Sequence, residues 1–181
     1  MEKEFKQVIH KGNLNKVKYY LTKGINPSSN DNRAIRIASD KGYLEIVKLL
    51  LEDSRVDPSA LDNEAIRYAS CEGHTEIVKK LLEDPRVDPS SWDNWAIKIS
   101  SHRGNYEIVK LLLEDPRVDP SADGNYAIME ASDLGFGLIV RELIKDKRVR
   151  KTLRKEDIKG LIEIEYKLYK LSQLKKNKVH F

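Results

Sequence analysis

The sequence predicts an all-α protein, a solenoid of stacked helix-turn-helix units with protruding loops and helical caps. Two observations support this prediction. The phrase EDPRVDPS at residues 83–90 returns at residues 114–121, and a near copy, EDSRVDPS, occupies residues 52–59. Between these copies lie two helix-like segments joined at a glycine, and so short a unit buries its apolar face only by stacking on its neighbours.

The 31-residue period extends through the helical segments as well as the loops. An asparagine, an Ala-Ile pair and a glycine recur at this spacing, namely at Asn32, Asn63, Asn94 and Asn125, at Ala34, Ala65, Ala96 and Ala127, and at Gly42, Gly73, Gly104 and Gly135. We therefore expect an N-terminal capping repeat, three full repeats, one degenerate repeat and a basic C-terminal helical cap or tail. Their expected ranges are 1–30, 31–61, 62–92, 93–123, 124–150 and 151–181.

The first helix of each unit is predicted from the residues around one asparagine. In the unit at residues 62–92, Asp62 and Asn63 are expected to start the helix by accepting hydrogen bonds from free backbone N–H groups. Ile66, Ala69 and Ser70 then form a short apolar stripe at three- and four-residue spacing. Gly73 is expected to end the helix in the left-handed conformation.

The second helix and the loop follow directly. Thr75 is the expected N-cap and Pro85 the expected stop signal. Val87 is expected to point inward, and Asp88-Pro89 to initiate a turn. The apolar face of this helix is predicted to consist of Ile77, Val78, Leu81 and Leu82.

These segments resemble a known family. GHTEIVKKLLED and GNLNKVKYYLTKGINPS are similar to the second half of an ankyrin repeat, and the resemblance covers about residues 1–150. The chain departs from the family in its 31-residue period, against the usual ~33, and in replacing the T-P-L-H opening by NEAIR, NWAIK or NYAIM. Its D-N-x-A-I-R…R-V-D-P-S form is similar to ankyrin arrays of giant DNA viruses of amoebae, which implies a viral protein acting on host proteins.

Composition indicates an intracellular protein. Cys71 is the single cysteine, so no intramolecular disulfide can form. The charged N-terminal segment does not resemble a secretory signal, and no apolar run approaches the ~18 residues of a membrane span. We expect a monomer without membrane contact, located in the cytoplasm (the host cytoplasm if the protein is viral).

The resemblance implies a partner-binding concave surface formed by loop tips and first helices. Several positions there change from unit to unit while the apolar positions behind them stay constant. The candidate protein-binding residues are Arg33, Leu61, Glu64, Tyr68, Trp92, Trp95, His102, Arg103 and Tyr126. Trp92 and Trp95 are the strongest candidates because exposed aromatic residues often anchor interfaces. Alternatively, Trp92 folds back onto a neighbouring loop and Trp95 packs between helices.

Arg36, Arg67 and Lys98 recur at one position of successive units. They form either a basic ladder for an acidic partner or a phosphate backbone, or a set of structural pairs with loop acids such as Asp57 or Asp88. The second interpretation is favoured because the charge recurs with the scaffold.

No catalytic signature is present. The sequence lacks the glycine-rich phosphate loop, the nucleophile elbow and the zinc-protease motif. His74 occupies the position of the family's histidine, which makes a structural hydrogen bond, and the other histidines have no zinc-ligand spacing. We expect neither enzymatic activity, nor a cofactor, nor a bound metal.

The C-terminal segment differs from the repeats. Residues 145–181 contain 13 Lys/Arg against 5 Asp/Glu, a net charge of +8. An amphipathic helix is predicted from Ile158, Leu161, Ile164, Leu168 and Leu171. It is either a cap on the last repeat or a partner-binding helix. The basic run Lys147, Arg148, Arg150, Lys151, Arg154 and Lys155 either contacts nucleic acid or anionic lipid or is a solvated face of the cap. Nucleic-acid binding through this tail is the alternative function.

Overall fold

The computed structural model describes residues 1–161, 163 and 170. This part of the chain contains helices, turns and loops but no strand, which confirms the all-α prediction. The helices are α1 (Glu2–His10), α2 (Leu14–Thr22), α3 (Ser29–Asp40), α4 (Leu44–Leu51), α5 (Ala60–Glu72), α6 (Thr75–Leu82), α7 (Ser91–Arg103), α8 (Tyr106–Glu114), α9 (Ala122–Asp133), α10 (Gly137–Leu143) and α11 (Lys147–Thr152). Residues 155–161 are also helical.

The chain divides into two compact units, Met1–Trp92 and Asp93–Phe181. In the first unit, α1 packs against α2 and α3, α3 against α4 and α5, and α6 against α4 and α5. In the second unit, α10 packs against α8 and α9, and α11 packs against α9. None of the helices in the described part combines the length and apolar character that a bilayer crossing needs.

The first helix of each of four successive pairs opens with a turn of three residues at positive φ. In α5 this left-handed turn comprises Leu61, Asp62 and Asn63, with φ between 52° and 60°. The other left-handed turns are residues 30–32, 92–94 and 123–125. Asparagine, aspartate and glycine tolerate this conformation best, and they fill most of these positions.

The predicted helix cap at Asp62 and Asn63 is therefore wrong. The Asn63 side chain is buried, and its Oδ1 accepts a hydrogen bond from the Asp88 N–H at 2.7 Å. Equivalent bonds join Asn32 to the Asp57 N–H and Asn94 to the Asp119 N–H, at 2.8 and 2.6 Å. Each asparagine thus ties its left-handed turn to the loop that leads into the next turn, and we call this set of bonds the asparagine ladder.

Glycine ends the first helix of each pair, as predicted for Gly73, which has a φ of 80°. A second constraint acts at Gly42, where a Cβ atom would lie 2.7 Å from Cε1 of His74. The His74 ring donates from Nε2 to the Asp40 carbonyl at 3.0 Å, which confirms its predicted structural hydrogen bond. The N-cap prediction at Thr75 is wrong, because His74 holds the N-cap position and makes no side-chain cap.

The second helices provide much of the core. Ile77, Val78 and Leu81 are buried, whereas Leu82 is only half-buried. Val87 is fully buried, as predicted from the loop sequence. The end of α6 at Leu82 does not require Pro85, because α4 ends at the equivalent position although Ser54 replaces the proline.

An Asp–Arg pair shapes the turn after four of the second helices, α4, α6, α8 and α10. Asp84 Oδ1 accepts hydrogen bonds from the backbone N–H and the Nε of Arg86, at 3.0 and 2.9 Å. The Arg86 guanidinium lowers the pKa of the Asp84 carboxyl, chiefly through its hydrogen bonds and against the effect of burial. Arg86 also donates to the Val56 carbonyl at 2.7 Å, so this pair joins two successive loops. The same pairing recurs at Asp53–Arg55, Asp115–Arg117 and Asp146–Arg148.

The last repeat is closed differently. The Thr152 hydroxyl, at the end of α11, donates to Asn125 Oδ1 at 3.0 Å, in the place of a loop N–H. In the following segment Leu161 is buried and Ile158 is half-buried. These two residues fit the predicted apolar face of the terminal helix, whereas Ile164, Leu168 and Leu171 lie outside the described residues.

Candidate protein-binding surface

Four of the predicted site residues in the first unit are exposed: Arg33, Leu61, Tyr68 and Trp92. Leu61 and Trp92 occupy the same position of successive left-handed turns, with exposed fractions of 50% and 60%. A positive φ at a non-glycine residue is uncommon. The left-handed turns thus hold two large apolar side chains in solvent.

Trp92 is nevertheless held in place. The Arg67 guanidinium lies 4.2 Å from the centroid of its ring, which is cation–π geometry. Arg67 is itself buried, and it donates to the carbonyls of Asp62 and Leu61 at 3.0 and 3.2 Å. The ring therefore contacts a side chain of the preceding pair and still presents most of its surface to solvent.

The basic side chains at the position of Arg67 have structural partners. Arg36 donates to the carbonyls of Asp31 and Asn30 and pairs with Glu64. Lys98 contacts Asp93 and Asp123 at 3.0 and 3.3 Å. Burial opposes the charge of Lys98, but these hydrogen bonds outweigh it and raise its pKa.

The structural interpretation of these cations is confirmed, whereas the predicted partners Asp57 and Asp88 are wrong. Each cation lies about one and a half helical turns after a left-handed turn and contacts a carbonyl or an acid of that turn.

Glu64 is less available for contact with a partner protein than the sequence suggested. Its carboxylate pairs with Arg36, and its side chain is only 14% exposed. A hydrogen bond to this carboxylate raises the pKa of Tyr68. Tyr68 also lines an open groove of about 450 Å³ with Arg33, Arg36, Ile37 and Asp40. The first unit thus offers two distinct features, a fixed exposed tryptophan and a groove of mixed polarity.

In the second unit, Arg103 and Tyr126 are exposed, and Trp95 is half-buried. The His102 Nδ1 lies 2.7 Å from Glu130 Oε2, so its ring donates to this carboxylate. Both residues are accessible to a partner, although they satisfy each other in the free protein.

Sequence reasoning missed Arg67 and Glu130 as neighbours of the candidate residues. Trp92 follows Arg67 by 25 residues, the interval that also separates the residues of the asparagine ladder, but this interval is evident only from the structure. Within the described residues, no group of three or more His, Cys, Asp or Glu side chains could hold a metal ion.

Comparison with known families gives an independent view of the chain. Two segments, residues 5–93 and 66–155, match the family model described as ankyrin repeats in three copies. The two matches overlap and extend over more than half of the 181 residues. A search of curated proteins gave no match.

Proposed function

The chain belongs to the ankyrin-repeat family, and from this premise we propose that it is a non-enzymatic module that binds a partner protein. Binding would use the loop tips and first helices, which form the concave face of ankyrin repeats. The observation that supports the proposal most is Trp92, which is 60% exposed and yet fixed against Arg67. The proposed contact residues are Arg33, Leu61, Glu64, Tyr68, Trp92, Trp95, His102, Arg103 and Tyr126.

Trp92 has the properties of an interface anchor. A tryptophan side chain buries ~150–250 Å², so transferring the exposed part of Trp92 into a partner pocket would contribute about 3 kcal/mol. Its contact with Arg67 reduces the rotamer freedom that is lost on binding, which favours affinity. Loss of the ring is therefore expected to weaken binding by about two orders of magnitude.

Charged residues would set partner specificity rather than affinity. Arg33 and Arg103 are exposed cations suited to the rim of an interface, where complementary charge steers association. Glu64 would contribute less, because Arg36 already neutralises its charge. Trp95, which is half-buried, would contribute less area than Trp92.

A pull-down from cell lysate with matched variants tests this proposal. The variants are Trp92→Ala, Trp95→Ala and, as the control, Tyr19→Ala. Tyr19 is 56% exposed but lies on α2, outside the proposed surface. We expect wild type and Tyr19→Ala to retain a partner protein from the lysate and Trp92→Ala to lose it. The circular dichroism of the variants should match that of wild type. Equal recovery by all variants would contradict the proposed surface.

Nucleic-acid binding through the C-terminal cations is the second candidate. Arg148 and Arg154 are committed to Asp146 and Asp157, whereas Lys147, Arg150, Lys151 and Lys155 are exposed. Phosphate binding would weaken steeply with rising salt, whereas an aromatic-anchored protein contact would weaken little. Titration of labelled duplex DNA and RNA at several salt concentrations distinguishes the two functions.

The similarity to arrays of giant viruses adds two elements to the proposal. It suggests host proteins as the partner class and the host cytoplasm as the location. The identity of the captured protein tests the first, and imaging of the tagged chain in infected cells tests the second. A monomeric state is also proposed, and analytical ultracentrifugation measures it directly.

A further inference from the structure

The first unit contains an apolar cavity that lies apart from Trp92. It has a volume of about 150 Å³ and opens where α1 meets the start of α3. Phe5, Ile9, Ile25, Ala34 and Ile37 line it, and the first four are buried side chains. A cavity of ~150 Å³ holds a molecule the size of benzene, so this one matches a single large apolar side chain.

The charged lining of this cavity is mostly positive. It comprises Lys3, Lys6 and Arg33, with Glu2 as the one acid. Glu2 already accepts a weak hydrogen bond from the Ser29 hydroxyl at 3.5 Å. The three cations are exposed, and none of their side chains forms a hydrogen bond or an ion pair with the residues that the structure describes. The cavity thus combines an apolar interior with cations that lack acidic partners.

We propose that this cavity receives one large apolar side chain of an acidic peptide segment, whose carboxylates pair with Lys3, Lys6 and Arg33. Charge complementarity favours this occupant over the chain's own C-terminal segment, which carries a net charge of +8 and would be repelled. The site rests on the proposed function for its premise that the chain binds proteins. It shares only Arg33 with the contact residues proposed above, so the two sites are separable.

Selection from a displayed library of random nonapeptides tests the proposal. The immobilised target is wild type, and the comparison is the double variant Lys3→Glu/Lys6→Glu. The control is Lys16→Glu/Lys18→Glu, which makes the same charge change on exposed lysines of α2. We expect wild type and the control to enrich peptides with one large apolar residue flanked by Asp or Glu. The double variant should bind those peptides about tenfold more weakly, since two surface charge pairs become repulsive.

A second variant, Ala34→Leu, fills the cavity without changing the charge. Enriched peptides should lose most of their affinity for this variant, and their apolar residue should no longer be required. Enrichment of basic or non-apolar peptides, failure to enrich any peptide, or binding to either variant as tight as to wild type would overturn the proposal. So would self-association of wild type that Lys3→Glu/Lys6→Glu abolishes, because the occupant would then be a second copy. Trp92→Ala should leave peptide binding unchanged, so this test can fail while the proposed function stands.

Discussion

Replacement of Asn63 separates the two contributions that this residue makes to stability. Asn63 has a φ of 60°, and its Oδ1 accepts from the Asp88 N–H at 2.7 Å. Alanine loses both features. It disfavours the left-handed conformation by ~1 kcal/mol relative to asparagine, and a part-buried N–H left without an acceptor costs ~1–2 kcal/mol. We therefore expect Asn63→Ala to lower the free energy of unfolding by about 2–3 kcal/mol.

Two further variants separate the contribution of the left-handed conformation from that of the hydrogen bond. Glycine restores the positive φ but supplies no acceptor, so Asn63→Gly should be destabilised by ~1–2 kcal/mol. Aspartate keeps both the conformation and an acceptor oxygen, so Asn63→Asp should lose under ~1 kcal/mol. The expected order of stability is wild type, Asp, Gly and Ala.

Urea unfolding followed by far-UV circular dichroism measures the order, and amide hydrogen exchange at Asp88 measures the bond itself. Exchange at the Asp88 amide should accelerate in Asn63→Gly and Asn63→Ala and remain slow in Asn63→Asp. If Asn63→Gly were as stable as wild type, the asparagine ladder would contribute nothing. If Asn63→Ala matched Asn63→Gly, the argument from φ would be refuted.

Two further predictions concern the turns at the ends of the helices. Gly42→Ala should lower stability by more than Gly24→Ala. Both glycines have positive φ, so both variants bear a backbone strain of ~1–2 kcal/mol, but of the two only Gly42 would bring a Cβ close to a ring. Thermal unfolding compares the stability of the two variants. Arg86 lowers the pKa of Asp84 below its ordinary value of 3.8, so this pair stabilises the protein above that pH and loses its effect as the pH falls below it. In Asp84→Asn the acid-induced drop in melting temperature should be smaller than in wild type, and an unchanged pH profile would contradict this role.

The sequence predicts most of the fold because its signals are local and repeated. Gly73 ends its helix, and Val87 points inward, since glycine punctuation and apolar spacing report directly on backbone conformation and burial. The predictions at Asp62 and Asn63 failed for a different reason. An asparagine before an apolar stripe is typical of a helix cap, but here its partner is a backbone N–H 25 residues away, and single-sequence patterns do not encode such pairings.

The candidate site is predictable in composition but not in its contacts. Variation between units singled out Trp92 and Glu64, and the exposure of Trp92 agrees with a binding role. The pairing of Glu64 with Arg36 and the contact of Arg67 with Trp92 depend on how successive first helices lie beside each other. Whether a side chain reaches the neighbouring first helix follows from three-dimensional packing. The sequence therefore could not distinguish candidate residues that already have a partner within the chain from those that are available to another protein.

The asparagine ladder also bears on how such a chain changes in length. Each bond of the ladder joins an asparagine Oδ1 to the backbone N–H of an aspartate 25 residues later. A duplicated block of 31 residues would therefore bring its own donor and its own acceptor. Gain or loss of an internal block would leave every remaining asparagine with a backbone N–H to accept from. The last bond of the ladder is different, because the Thr152 hydroxyl replaces a backbone N–H there, while the Arg150 N–H donates to the carbonyl of Asp146, the residue before α11. Lengthening is therefore compatible with the interior of the array, whereas a block added after Asn125 would have to replace the Thr152 hydroxyl by a loop N–H.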